Sequence, residues 1–310
     1  METIDEVRAE LDRTTVKKTS PWKNAAGLII TMAIFIIFGL QAGFFEPSWY
    51  GVGSIIVVIF IHELGHAVGM KLAGYRQVKI FFIPLLGAAV SGHQTDPRAV
   101  RKAVISLSGP LPGILIGIIL AVIFGITREE MAGIAAQTFL LINLFNLLPF
   151  HPLDGGQFLD HVIFSRKPVL EIIFKVITSL LLVWIAWQLK AIFLGFFALV
   201  VLFSLRITLL QARLADRLKK ELSPEELRYG ERIPDAVLDR IFPQLLPRLG
   251  KQVRPIQALA AGAQAIWQKA CQIPPSWGAT FGLIFIYLCA LAAGAAVFSL
   301  VLVSMSPPGM

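Results

Sequence analysis

Residues 52–72 form an apolar stretch whose middle reads His62-Glu63-Leu64-Gly65-His66. About 20 apolar residues suffice for a helix to cross the hydrocarbon core of a bilayer. This segment is therefore confined to a membrane helix. On a helix, residues four apart share a face, about 6 Å apart along the axis, so His62 and His66 can chelate one metal ion. Glu63 lies beside them, where its carboxylate could take a proton from a water activated by that ion. The five-residue pattern alone recurs in soluble helices. Two imidazoles and a carboxylate are costly in hydrocarbon, however, so such a cluster inside a span marks a functional site. The expectation is a metal-assisted hydrolase within the membrane.

Composition points the same way. The chain is 56% hydrophobic and 15% charged, with a mean hydropathy of +0.72, far from an ordinary soluble domain. Seven stretches are candidate spans: 25–45, 52–72, 103–125, 132–150, 168–189, 191–210 and 280–304. The expected fold is an all-α polytopic membrane protein with about seven transmembrane helices. The first stretch is too long for the apolar region of a cleaved leader and follows a charged segment, so no leader is expected. Cys271 and Cys289 have no metal-ligand spacing, and no disulfide is expected between them.

The net charge of +8 could suggest nucleic acid, but topology accounts for it better. Seven spans place the N-terminus, the stretch from Lys71 to Lys102, Arg166, Lys167 and all of 211–278 on one side. The other side holds only Arg128 and Lys190. This bias predicts that the first side is cytoplasmic, with anionic lipid as the contact of its basic residues and no nucleic-acid partner.

Val78 to Val90 is apolar but too short for a helical span, and both flanks are basic. Pro84 and Gly87 argue against a continuous helix. Two readings are open: a re-entrant hairpin of extended chain, sheltered at membrane depth by protein, or a buried interfacial loop. A hairpin beside the metal helix would offer a strand edge to an extended peptide.

A second chemical motif ends the fourth span: Asn143-Leu-Phe-Asn146-Leu-Leu-Pro149-Phe-His151-Pro152-Leu153-Asp154-Gly155-Gly156. A catalytic zinc usually takes three protein ligands and leaves a fourth position open. Asp154 can be the third, and His151 is either a rival ligand or a residue behind the ligands. Read alone, the segment is a turn signal. Depth raises its standing, because the second and fourth spans both run inward and bring His66 and Asp154 toward the cytoplasmic half. The metal would lie roughly 9–15 Å below that surface.

HELGHAVG within a span, Ser108-Gly109-Pro110 leading into the next, and NLLPFHPLDGG after it together resemble the site-2 protease family of intramembrane zinc metalloproteases. The resemblance covers about residues 50–160. It implies a three-span catalytic core there, one Zn2+ per chain held by His62, His66 and Asp154, and Glu63 as the catalytic base. It also implies a membrane hairpin at Val78–Val90, with Leu85, Leu86 and Gly87 on its substrate-binding edge. Asn146 would bond the substrate backbone or a developing oxyanion. Family members cut a transmembrane segment of a membrane protein, often releasing a cytoplasmic regulator. Gly113 departs from the pattern, since many members have Asn three residues after the Gly-Pro. No PDZ insertion or paired CBS-like region is recognisable.

Other features read as structural. Gly109, Gly113, Gly117, Ala121 and Gly125 form a small-residue stripe suited to close helix packing. Glu171 and Lys175, four apart, read as a snorkelling pair. His93 and His161 are placed outside or at the edge of the membrane. The expected organisation is a cytoplasmic segment 1–24, a membrane domain 25–210, an amphipathic cytoplasmic segment 211–278 and a last helix in 279–310. The segment 211–278 holds eleven basic and seven acidic residues and is expected to bury little core of its own.

The expected function is intramembrane zinc endopeptidase, in a multi-pass protein of a bacterial-type plasma membrane with a cytoplasmic N-terminus. Its partners would be the lipid bilayer and a membrane-protein substrate. The alternatives are a catalytically silent membrane-binding scaffold and a metal transporter. The intact His62, Glu63, His66 and Asp154 set argues against the scaffold, and the lack of inverted repeats against the transporter. Another multi-span zinc protease class takes a glutamate as third ligand, and Glu171 is the candidate for that role.

Overall fold

The computed structural model describes residues 5–11, 49–83, 87–93, 98–151, 153–166, 168–190, 192–228, 233–245 and 256–305. The first expected span, 25–45, lies outside them. So do Leu85 and Leu86. The described chain is mainly helical and belongs to an integral membrane protein. Its elements are α1 (residues 5–11), α2 (Trp49–Leu72), β1 (Arg76–Ile83), β2 (Gly87–His93), α3 (Ala99–Ser108), α4 (Pro110–Thr127) and α5 (Glu130–Asn146). They continue with α6 (Asp154–Leu159), a π-helical turn (Asp160–Phe164), α7 (Pro168–Leu189), α8 (Ile192–Glu221), α9 (Pro224–Arg228), α10 (Asp235–Leu245), α11 (Ile256–Cys271) and α12 (Trp277–Met305). Four described stretches are long and apolar enough to cross a membrane: Gly53–Leu72, Ala99–Thr127, Val169–Gln188 and Trp277–Met305.

The chain divides into two compact units. One comprises Thr19–Gly92, Val100–Val162 and Pro275–Met310. Here α2 packs on α5 and α4 through Ile55, Val58, Ile59, Phe139 and Ile142, and α12 packs on α4 and α5 through Val301, Phe124 and Ala136. Helix α2 ends in a Schellman turn. Gly74 takes φ +84°, and the Tyr75 and Gly74 amides donate to the Met70 and Lys71 carbonyls, both at 3.0 Å. The turn leads directly into the two-stranded β1–β2 sheet. Extended chain was expected there, so the helical fold carries this one small β element among the described residues.

One expectation changes in this unit. The third span begins at Ala99, and Ser108-Gly109-Pro110 lies within the run Ala99–Thr127 rather than leading into it. Pro110 supplies no amide N–H to the preceding turn, which interrupts the helix there. Gly109 nevertheless keeps helical angles, φ −74° and ψ −61°, so the direction persists. Helix α12, about which the resemblance says little, proves to be part of the unit that holds both chemical motifs.

The other unit comprises Met1–Lys18, His93–Ala99 and Ile163–Pro274. It corrects the expectation that 211–278 buries little core. Leu214 and Leu218 of α8, Val237, Leu238 and Ile241 of α10, and Leu259, Ile266 and Trp267 of α11 form one buried apolar cluster, joined by Val7 of α1. Helix α8 crosses the expected boundary at residue 210 without a break, so membrane-length helix and polar segment share one rod. The expected snorkelling pair is also different. Glu171 is 2% exposed and accepts from Lys175 Nζ at 2.8 Å and from Lys269 Nζ at 2.6 Å.

Candidate metal centre

The spacing of His62 and His66 puts both rings on one face of α2, with centroids 4.8 Å apart and planes at 80°. Asp154 opens α6 after a compact turn. The Leu148, Phe150 and Leu153 amides donate to the Phe145, Leu148 and Phe150 carbonyls at 3.0, 2.8 and 2.8 Å, carrying the chain from α5 to α6. Gly155 and Gly156 let α6 press onto that turn. A Cβ at Gly155 would overlap the Leu147 carbonyl, and one at Gly156 the Phe150 backbone.

The three side chains converge on one point. Asp154 Oδ2 lies 3.0 Å from His62 Nε2 and 3.2 Å from His66 Nε2, and the two Nε2 atoms are 3.2 Å apart. All three residues are buried. The far side of each ring is tied down. His66 Nδ1 meets the Ile105 carbonyl at 2.9 Å, and His62 Nδ1 meets Asn143 Oδ1 at 2.9 Å. A carbonyl oxygen can only accept, so each Nδ1 carries the hydrogen and, in the neutral ring, each Nε2 carries a lone pair.

Two imidazole lone pairs and a carboxylate therefore face one another, an arrangement that needs a positive charge among them. Their separations match the edge of a tetrahedron, about 3.3 Å, whose corners lie about 2.0 Å from a central zinc. The donor set fits a metal ion, and His62, His66 and Asp154 form the one group among the described residues that could hold one.

Glu63 is buried beside this group, within electrostatic reach of all three residues, and its Oε2 has no hydrogen-bond partner among the described residues. An unpartnered buried carboxylate oxygen is costly, which suits an acceptor held ready for a proton.

The other expected site residues fall elsewhere. His151 is outside the cluster, with its Nε2 3.3 Å from Asp160 Oδ2. Asn146 Nδ2 donates to the Ile142 carbonyl at 3.0 Å, at the end of α5. Gly87 begins β2. Glu171, the alternative third ligand, sits in the other unit with its two lysines. The sequence does not single out Asn143, the residue that touches His62 directly. The available signal was an amide in mid-span, where polar groups are expensive.

Residues 50–140 match peptidase family M50. The matched segment takes in the histidine motif. The matched residues stop short of Asp154, so its place in the cluster rests on the geometry above. A zinc metalloprotease of Methanocaldococcus jannaschii is 32% identical over 148 residues, which are 45% of this chain and 42% of that protein. Stage IV sporulation protein FB of Bacillus subtilis is 31% identical over 121 residues, 36% of this chain and 40% of that one. The chain thus spans about two fifths of the length of these relatives. A solved site-2 protease from Methanocaldococcus jannaschii aligns with a TM-score of 0.41 at 22% identity, covering 57% of this chain and 87% of that one.

Proposed function

We propose that this chain is an intramembrane zinc metalloendopeptidase that hydrolyses peptide bonds within or near transmembrane segments of other membrane proteins. The observation that carries the reading is the convergence of His62 Nε2, His66 Nε2 and Asp154 Oδ2 beside the buried Glu63 carboxylate, whose Oε2 has no partner among the described residues. The family of residues 50–140 and the names of the relatives support it. In this reading His62, His66 and Asp154 hold one Zn2+, which when bound supplies Lewis acidity to a water and to the scissile carbonyl.

The chain's own residues do the rest. Glu63 takes the proton of the attacking water and delivers it to the departing amide nitrogen. Burial in apolar surroundings keeps bulk water away and strengthens each charge interaction. The β1–β2 hairpin offers an edge on which an extended substrate segment can pair, with Gly87 at the start of β2, and Asn146 bonds the substrate backbone. In the same reading the N-terminus is cytoplasmic and the centre lies toward the cytoplasmic half, which the uneven distribution of Lys and Arg supports.

The test is a trap. Glu63→Gln keeps shape and hydrogen bonding but cannot accept the proton. Turnover should fall by about 100- to 10,000-fold, typical of lost general-base catalysis. Membrane proteins that accumulate uncut beside this variant are the substrates. Cleavage at the wild-type rate would refute the assignment of Glu63.

A further inference from the structure

We propose that Asn143 is a positioning residue for the metal centre, and that Gly113 is its steric partner. The Asn143 amide, seated in the space a side chain at 113 would fill, holds His62 in the tautomer that turns a bare Nε2 toward His66 and Asp154. This deepens the zinc-centre reading and rests on it.

The argument is a chain of hydrogen-bond roles. Asn143 lies one turn beyond Phe139 on α5, and its Nδ2 donates to the Phe139 carbonyl at 2.8 Å. That carbonyl only accepts, so the amide cannot be flipped, and Oδ1 is the atom that faces His62. Oδ1 also only accepts, so His62 Nδ1 must be the donor. A backbone carbonyl of α5 thereby dictates, through one amide, which nitrogen of His62 is free for a metal. His66 is oriented by the Ile105 main-chain carbonyl, which no side-chain change removes. The side-chain half of the support is therefore Asn143.

Asn143 is fully buried, so water cannot take over its role. Gly113, on α4, makes the placement possible. A Cβ there would overlap all three terminal atoms of the Asn143 amide. Positions 113 and 143 thus share one volume, and even alanine at 113 would displace the amide from His62.

The experiment uses the full chain in detergent, with Zn2+ as the probe and a chromophoric chelator as competitor. Asn143→Leu fills the space without an acceptor, and zinc affinity should fall by about 10- to 100-fold, as when a partner behind a ligating histidine is lost. Asn143→Asp keeps an acceptor on His62 Nδ1 and should retain affinity close to wild type. Gly113→Ala should weaken zinc in the wild-type chain and add nothing in an Asn143→Ala background, where the methyl enters vacated space. Wild-type affinity in Asn143→Leu, equal losses in the Leu and Asp variants, or additive losses at 113 and 143 would each overturn the proposal. Thermal melting of the metal-free proteins separates packing from positioning, since a packing role alone lowers that melting and leaves zinc affinity unchanged. His66→Ala is the control. If it too binds zinc like wild type, the metal-centre reading itself fails; if only Asn143→Leu does, this inference alone fails.

Discussion

Tyr287 of α12 donates its hydroxyl to the Leu147 carbonyl at 2.6 Å, tying the last helix of the chain to the turn that delivers Asp154. The ring also stacks on Phe158 of α6, with centroids 4.9 Å apart and planes at 17°. Leu147 O is the same atom that a Cβ at Gly155 would strike. The turn is thus gripped between a glycine on one side and a tyrosine on the other. Helix α12 lies far outside the residues matched to family M50, yet it supports the turn that leads into Asp154.

Tyr287→Phe keeps the stack and removes the hydrogen bond, leaving a buried carbonyl without this donor. The expected cost is about 1–3 kcal/mol, read as lowered melting of the purified protein. Tyr287→Ala should cost more, because the contact with Phe158 is lost as well. Unchanged melting in both would show that α12 does not restrain the turn.

Glu171 answers two lysines, and Lys175 also donates to Thr208 Oγ1 at 3.0 Å. Glu171→Ala leaves the buried Lys175 ammonium and the half-buried Lys269 one without their carboxylate, which should destabilise the chain by about 3–5 kcal/mol. Lys269→Ala should cost less, since its side chain is 25% exposed. Replacing all three charges with apolar residues of similar volume should be close to neutral. A triple variant as unstable as Glu171→Ala would contradict this.

Orientation is checked by labelling intact cells. In a Cys271→Ser, Cys289→Ser background, Ser48→Cys and Glu130→Cys should react with an impermeant thiol reagent, while Lys167→Cys and Gly230→Cys should not. Labelling of Gly230→Cys from outside would overturn the span count and the depth assigned to the metal.

What was legible in the sequence was local. His62 and His66 share a face because helical periodicity demands it, and Asp154 stood out as an acid in a Pro/Gly-punctuated turn after a span. Asn143 was in plain view within the second motif. Its role was hidden because it depends on a contact 81 residues away and on a gap at Gly113. The glycine stripe was read as packing. That holds at Gly117, where a Cβ would meet Leu140, but Gly113 makes room for the amide that reaches His62, and Gly125 faces open space. The Glu171–Lys175 pair was visible at helical spacing, while Lys269 joins it from 98 residues on. The core formed by 211–278 with Val7 likewise assembles from apolar residues too scattered along the chain to announce a cluster.

The central claim is that His62, His66 and Asp154 hold one catalytic zinc. It is tested most directly by elemental analysis of the purified full-length chain in four forms. Wild type and Glu63→Gln should each carry one zinc per chain. Asp154→Ala, left with two histidines, should lose most of it, and His151→Ala should keep it. Full zinc in Asp154→Ala with metal lost from His151→Ala would make His151 the ligand, and no zinc in wild type would contradict the account as a whole.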